Sequence, residues 1–252
     1  MAQSDSRLIE ANDLVAAIGL LTRLPVRADH GRGGAAAWAW PLAGLVVAVP
    51  AAFIAYLATV FGLSGHSAAA LALLVQTVLT GCMHEDGLAD SADGLFGGWD
   101  KERRLEIMQD SRIGTYGTMA LILITLLRWQ ALAALFAGGY FLAPLLATAL
   151  LSRASMALLM AALPNARGTG LSQSVGQPGP QTALLSEGIA LLLALVLVGW
   201  AGLFAGVLAV LATIAVALIA RAKIGGQTGD ILGATQQLSD AAVLLTLSIG
   251  LG

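Results

Sequence analysis

Apolar residues fill this chain in long blocks separated by short polar or glycine-rich connections. About 20 apolar residues cross a hydrocarbon core, and Trp38 to Phe61 meets that length. Ala68 to Met83 is a shorter block. Thr115 to Ala137, Phe141 to Leu163 and Ala183 to Gly199 follow, then Leu203 to Ala220 and a short terminal block, Ala241 to Leu251. The pattern predicts an all-α, polytopic membrane bundle of about seven transmembrane helices, forming one domain over residues 1–252. Leu14 to Pro25 is apolar but short and contains Arg23, so it reads as an N-terminal interfacial or re-entrant helix.

Composition agrees. Only 11% of the residues are charged, against about a quarter in soluble domains, and mean hydropathy is +0.82. A chain this apolar places its surface in lipid. The net charge of −2 and the lack of a basic tract argue against nucleic acid as a partner. The one cysteine, Cys82, excludes an intrachain disulfide. The polar N-terminal stretch lacks a signal-peptide pattern, so the first spans are expected to direct insertion.

Basic residues set the orientation. Arg7, Arg23, Arg27 and Arg32 precede the first block; Lys101, Arg103, Arg104 and Arg112 follow the second. Arg167 lies between the fourth and fifth, and Arg221 and Lys223 between the sixth and seventh. All fall on one side, which the positive-inside rule makes the cytoplasm. The expected location is the bacterial cytoplasmic (inner) membrane, with the N-terminus and the loops at about 84–114, 164–182 and 221–237 inside. Arg128 and Arg153 sit within blocks: either can snorkel near an end, but Arg153 is mid-block and is expected to face the protein interior.

Eight of the fifteen acidic residues lie between Glu85 and Asp110. If the second helix continues through this stretch, Asp86, Asp90 and Asp93 fall at i, i+4 and i+7, on one face within roughly 60°. Three like charges on a stripe repel one another, and a bound cation offsets that repulsion. Hard oxygen ligands suit Mg²⁺ or Mn²⁺, held jointly with substrate phosphates. The competing reading is a solvated acidic face at the membrane boundary. Glu85 points about 100° away from Asp86 and reads as a bystander. His84 alone reads more readily as an interfacial histidine than as a ligand.

The next stretch, from Lys101 to Asp110, has the pattern of a short amphipathic helix with Leu105 and Met108 on its buried side. Asp110, Ser111, Arg112 and Gly114 then bring an arginine and backbone N–H groups to the start of the following helix, an anion-favouring place. Asn165 to Leu171, with Arg167, and Gly225 to Gly233, with Gly226, Thr228 and Asp230, carry similar material on the same side. Neither has the lysine of a P-loop.

These residues resemble a known family. His84-x-Asp86-Gly87-Leu88-Ala89-Asp90-x-x-Asp93-Gly94, followed by the run from Arg103 to Gly114, is similar to cobalamin synthase, the adenosylcobinamide-GDP ribazoletransferases. Thr22 to Val26, Ser152-Arg153, Ala166 to Leu171 and Gly225 to Ala234 extend the resemblance over essentially the whole chain. It implies an integral membrane enzyme using Mg²⁺ that joins adenosylcobinamide-GDP to α-ribazole or α-ribazole 5′-phosphate and releases GMP. On that basis Asp86, Asp90 and Asp93 are the expected catalytic and metal residues, Asp93 as either ligand or base. His84, Arg103, Asp110, Ser111, Arg112, Gly114, Arg153, Arg167, Gly226, Thr228 and Asp230 are the expected substrate contacts. Gln237 departs from the family pattern where a glutamate can occur, and Asp240 stands nearby. Whether the chain forms a homo-oligomer is left open.

Two other readings compete. A CDP-alcohol phosphotransferase also sets aspartates on membrane helices, but only Asp90-x-x-Asp93-Gly94 matches the opening of its motif. A transporter would carry acids near the midplane, whereas here they border the connections.

Overall fold

The computed structural model describes residues 7–251, so the polar start of the chain, residues 1–6, lies outside it. A short helix, α1 (Ala11–Leu21), is followed by a 3₁₀ segment, Gly33–Ala39, that runs directly into α2 (Trp40–Val60). Then come α3 (Gly65–Thr80), α4 (Met83–Gly97), α5 (Lys101–Ile107), α6 (Thr115–Ala137) and α7 (Leu142–Ala162). A one-turn α8 (Leu171–Val175) precedes α9 (Pro180–Val198), α10 (Trp200–Ile224) and α11 (Gly229–Leu251). Among the described residues there is no strand, only an isolated bridge between Asn165 and Gln227.

Two helices form the axis of the bundle. α7 packs against α9, α2, α11 and α10, and α11 packs against α10, α4, α7 and α6. Small residues let these backbones close up, as they do in lipid where no water drives association. α2 meets α7 at Gly44, where an added side chain would lie 2.7 Å from the Ala149 carbonyl oxygen, and Ala43, Val47, Ala48 and Ala51 around it are buried. The outward faces carry Phe53, Leu123, Leu126, Phe204, Leu211 and Leu218, all exposed. Large apolar side chains facing out from helices whose backbone bonds are satisfied internally are what a bilayer requires.

Five helices are long and apolar enough to cross a membrane, six if α3 and α4 are taken as one broken span. The expectation of about seven counted two elements differently. α3 has 16 residues, about 24 Å of rise, short of the roughly 30 Å core. It does not continue into the acidic stretch: Gly81 and Cys82 both adopt left-handed backbone (φ 65° and 60°), and α4 leaves at 89° to α3. The acidic stretch is therefore largely a helix of its own rather than a loop. At the other end, the short terminal block is only the second half of α11, a 23-residue helix. Its first half is polar yet buried against neighbouring helices, so hydropathy alone misses it. The connection expected over 221–237 shrinks accordingly to the turn at residues 225–228.

α4 and α11 cross at Gly87 and Gly233, whose α-carbons meet. A methyl group added at Gly87 would lie 2.8 Å from the Asp230 carbonyl oxygen and 3.0 Å from the Gly233 α-carbon. Gly87→Ala is therefore expected to force the helices apart and lower stability by about 1–3 kcal/mol. Gly97→Ala, where the nearest atom would be 3.9 Å away, is the control. Thermal unfolding of both variants checks it; equal melting temperatures would contradict the tight crossing.

Candidate active site

The α4–α11 crossing sets the site. Asp86 lies on α4 beside it, exposed, and Asp90 follows one turn on, half-buried. Asp230, in the first turn of α11, faces the same region. The Asp86, Asp230 and Asp93 carboxylates all act on Asp90 as repelling charges, and Arg167 offsets them in part. Arg167 reaches Asp230 across 63 residues, Nη2 to Oδ2 at 3.0 Å, and the Thr228 hydroxyl donates to the same oxygen at 3.1 Å. The two glycine-containing segments are joined by backbone: Gln227 N–H donates to Pro164 O and Ala166 N–H to Gln227 O, each at 2.8 Å. Gly226 is the contact point, because a side chain there would collide with the Pro164 carbonyl.

Three pockets meet around these residues. The inner pocket lies between α1, α4, α7, α8 and α11 and encloses about 820 Å³ of empty space, open mouth included; His84, Asp86, Arg167 and Asp230 stand in its wall with Met156 and Met160. The outer pocket, about 940 Å³ on the same measure, is bordered by Asp86, Asp90, Asp110, Ser111 and Arg112. A vestibule of about 1320 Å³ adjoins the inner pocket, with Arg23, His30 and Arg32 in its wall. Asp86 borders both the inner and the outer pocket.

The expected residues divide. Asp86, Asp90, Asp230, Arg167 and His84 come together, with Thr228 holding Asp230. Asp110, Ser111 and Arg112 reach the outer pocket, where Asp110 and Arg112 bind each other at 2.7 Å. Hydrogen bonds from the Arg112 side chain and backbone N–H hold the Asp110 carboxyl down at about 2. Asp93 is buried and engaged differently: it accepts from Gly114 N–H at 2.7 Å and Gly117 N–H at 2.9 Å. Both oxygens thus cap the N-terminus of α6, which explains the place of Gly114. Arg103 is exposed on α5, paired with Glu106 at 2.7 Å, and borders none of the three pockets. Arg153 faces the protein interior, 3% exposed, with Nη1 donating to Ala149 O at 3.3 Å; it too borders none of them.

A buried polar network was not foreseen. Arg128 does not snorkel: on α6 it donates to Asp240 at 2.9 Å, Gln237 at 2.7 Å and Gln76 at 2.9 Å. Glu85 is not a bystander, since it accepts from Gln237 at 3.0 Å and lies 3.6 Å from Arg128. Its 100° offset from Asp86 is what aims it inward. Gln236 adds Ser152 of α7 to the network at 3.2 Å. Five helices, the acidic one included through Glu85, are thereby tied together. A usable signal was present in the sequence: an arginine inside an apolar block, and Gln236, Gln237 and Asp240 at helical spacing. At the N-terminal end, Asp13 is buried against Trp38 Nε1 at 2.7 Å and Arg32 Nε at 2.8 Å, fixing α1 beside the pockets.

A magnesium ion fits this donor set in one particular way. Among the described residues no three His, Cys, Asp or Glu side chains form a ready-made metal-binding group. Mg²⁺, however, is commonly held by one or two carboxylates plus substrate phosphates and water rather than by an all-protein cage. Asp86 and Asp90, crowded by like charge and bordering the open outer pocket, match that description.

Residues 13–248 match the sequence profile of cobalamin-5-phosphate synthase. A Sinorhizobium medicae protein named adenosylcobinamide-GDP ribazoletransferase is 43% identical, over 95% of this chain and 97% of its own length. A Rhizobium meliloti protein of the same name is 44% identical, over 95% and 97%. Another from Bradyrhizobium diazoefficiens is 42% identical, over 92% of each chain. No solved structure matches. A profile match over nearly the whole chain, with full-length relatives above 40% identity, places this chain in the cobalamin-5-phosphate synthase family.

Proposed function

We propose that this protein is a magnesium-dependent transferase of cobalamin synthesis that joins adenosylcobinamide-GDP to α-ribazole, or to α-ribazole 5′-phosphate, and releases GMP. Family membership over residues 13–248 is the observation that carries the reading. The chemistry of the site is compatible with it. In such a transfer a ribose hydroxyl attacks the phosphorus attached to cobinamide, its proton passes to solvent, and GMP departs with the electron pair of the broken P–O bond. Catalysis of this kind is mostly positioning and charge neutralisation. Asp86 and Asp90 would hold the divalent cation, Mg²⁺ or Mn²⁺, whose contribution is to neutralise the diphosphate. Asp86, bordering both pockets, stands where two substrates would meet. Arg112 and Arg167 supply positive charge on either side, each now paired with a carboxylate that a phosphate can displace. Asp93 keeps the start of α6 in place beside the outer pocket. The site is assigned to the cytoplasmic face of the inner membrane, from the one-sided placement of Lys and Arg.

The experiment is to reconstitute the purified protein in lipid and supply both substrates. GMP and the joined corrinoid are expected in equal amounts with Mg²⁺ and neither with excess chelator. GMP release independent of the acceptor, or of the cation, would overturn the reading.

A further inference from the structure

We infer that the inner pocket is the subsite for the acceptor nucleoside, with its base against the α7 thioethers and its sugar at His84. The outer pocket is left to the nucleotide diphosphate of the donor. This rests on the transferase reading above and adds to it a division of the two substrates.

Wall chemistry separates the pockets. The inner one is closed on one side by Trp40, Met156, Met160 and Leu232, all buried. Methionine thioethers are polarizable and pack well on flat aromatic rings. A bicyclic base with an apolar benzo edge can lie there without stranding any polar group. Guanine suits that wall less, since any polar edge turned to it would lose its hydrogen bonds to water.

Two other residues around the pocket have polar atoms without a partner. His84 is 3% exposed, and its Nε2 has no hydrogen-bond partner; the Arg167 Nε is likewise buried and unpartnered. Buried polar atoms are nearly always satisfied, and because both residues border the pocket, a turn of either side chain into it brings that atom to a sugar hydroxyl. Each residue borders the inner pocket close to Asp86 or Asp230. A nucleoside so placed turns its sugar towards Asp86 and hence towards the outer pocket.

The outer pocket carries more charge. Asp86, Asp90, Asp110, Ser111 and Arg112 border it beside Met108, Ile113 and Leu121, and those charged groups suit a cation-bound diphosphate. A corrinoid carried on that diphosphate can remain outside the protein.

Two variants in lipid nanodiscs test the division by varying each substrate separately. Leu20→Trp fills the inner pocket from α1, where Leu20 is only partly buried; His84→Gln alters the sugar contact. Both are expected to raise the KM for α-ribazole roughly tenfold or more while that for adenosylcobinamide-GDP moves by less than about twofold. Fluorescence titration with α-ribazole alone, without donor or cation, is expected to show the same weakening. If wild-type protein makes no GMP from the two substrates, the transferase reading fails. If wild type does make GMP, but both variants leave α-ribazole binding unchanged or raise only the donor KM, the subsite is wrong and the transferase reading stands.

Discussion

Asp86→Asn is expected to lower Mg²⁺-dependent GMP release by at least about a hundredfold, the range seen when a preorganised electrostatic contact to a reacting centre is lost. The substitution keeps size and shape and removes only charge. Asp86 is exposed, so the amide strands no buried partner and the protein should melt as wild type does. Asp90→Asn should cost nearly as much activity. It is also expected to raise the melting temperature slightly, because Asp90 is repelled by Asp86, Asp230 and Asp93. Asp93→Asn should behave in the opposite way: one of its two oxygens would no longer accept from the α6 N-terminus, at a typical cost of about 1 kcal/mol, with a smaller loss of activity. Initial rates and melting curves on the three proteins separate cation ligand from helix cap. A larger loss of activity in Asp93→Asn than in Asp86→Asn would reverse those assignments.

The largest structural effect is expected from Arg128→Met. This side chain is 3% exposed and makes hydrogen bonds to Asp240, Gln237 and Gln76. Without it, buried Asp240 loses its hydrogen-bonded cation and Glu85 its nearest positive charge, leaving only Arg153 nearby and the amides of Gln236 and Gln237. Breaking one side of a buried ion pair typically costs about 3–5 kcal/mol. The double change Arg128→Met with Asp240→Leu should recover part of that loss, because the orphaned carboxylate goes with its partner. Melting of the single and double variants in the same detergent reads the coupling. Additive losses would mean that the two residues do not act as a pair.

How much of this was legible in sequence differs from residue to residue. The five long spans follow from apolar length alone, because lipid rewards hydropathy summed over a whole helix. Hydropathy reports preference for lipid, however, and says little about a polar protein interior. Residues 229–240 are polar, yet the side chains from Thr235 to Gln237, Ser239 and Asp240 are all buried, satisfied by partners on other helices. The break at Gly81 and Cys82 was hidden for a different reason: only one of the two is glycine, and a left-handed cysteine is rarely adopted. The three aspartates do share a helix, as their spacing implied. Seven residues of rise is about 10.5 Å, enough to carry Asp93 away from the pockets to the start of α6. The shared side of the segments around Arg167 and Asp230 was readable from the sequence. The contacts that join them were not: a backbone bridge at Gln227 and an ion pair from Arg167 to Asp230.

Asp86 and Asp90 are proposed to hold a divalent cation on the donor diphosphate. The most direct test is electron spin resonance of Mn²⁺ added to the lipid-reconstituted protein with adenosylcobinamide-GDP present. Wild-type protein is expected to convert free Mn²⁺ into a slowly tumbling bound signal, and Asp86→Asn/Asp90→Asn protein, melting no lower than wild type, to leave it free. An undiminished bound signal in the double variant would contradict the account.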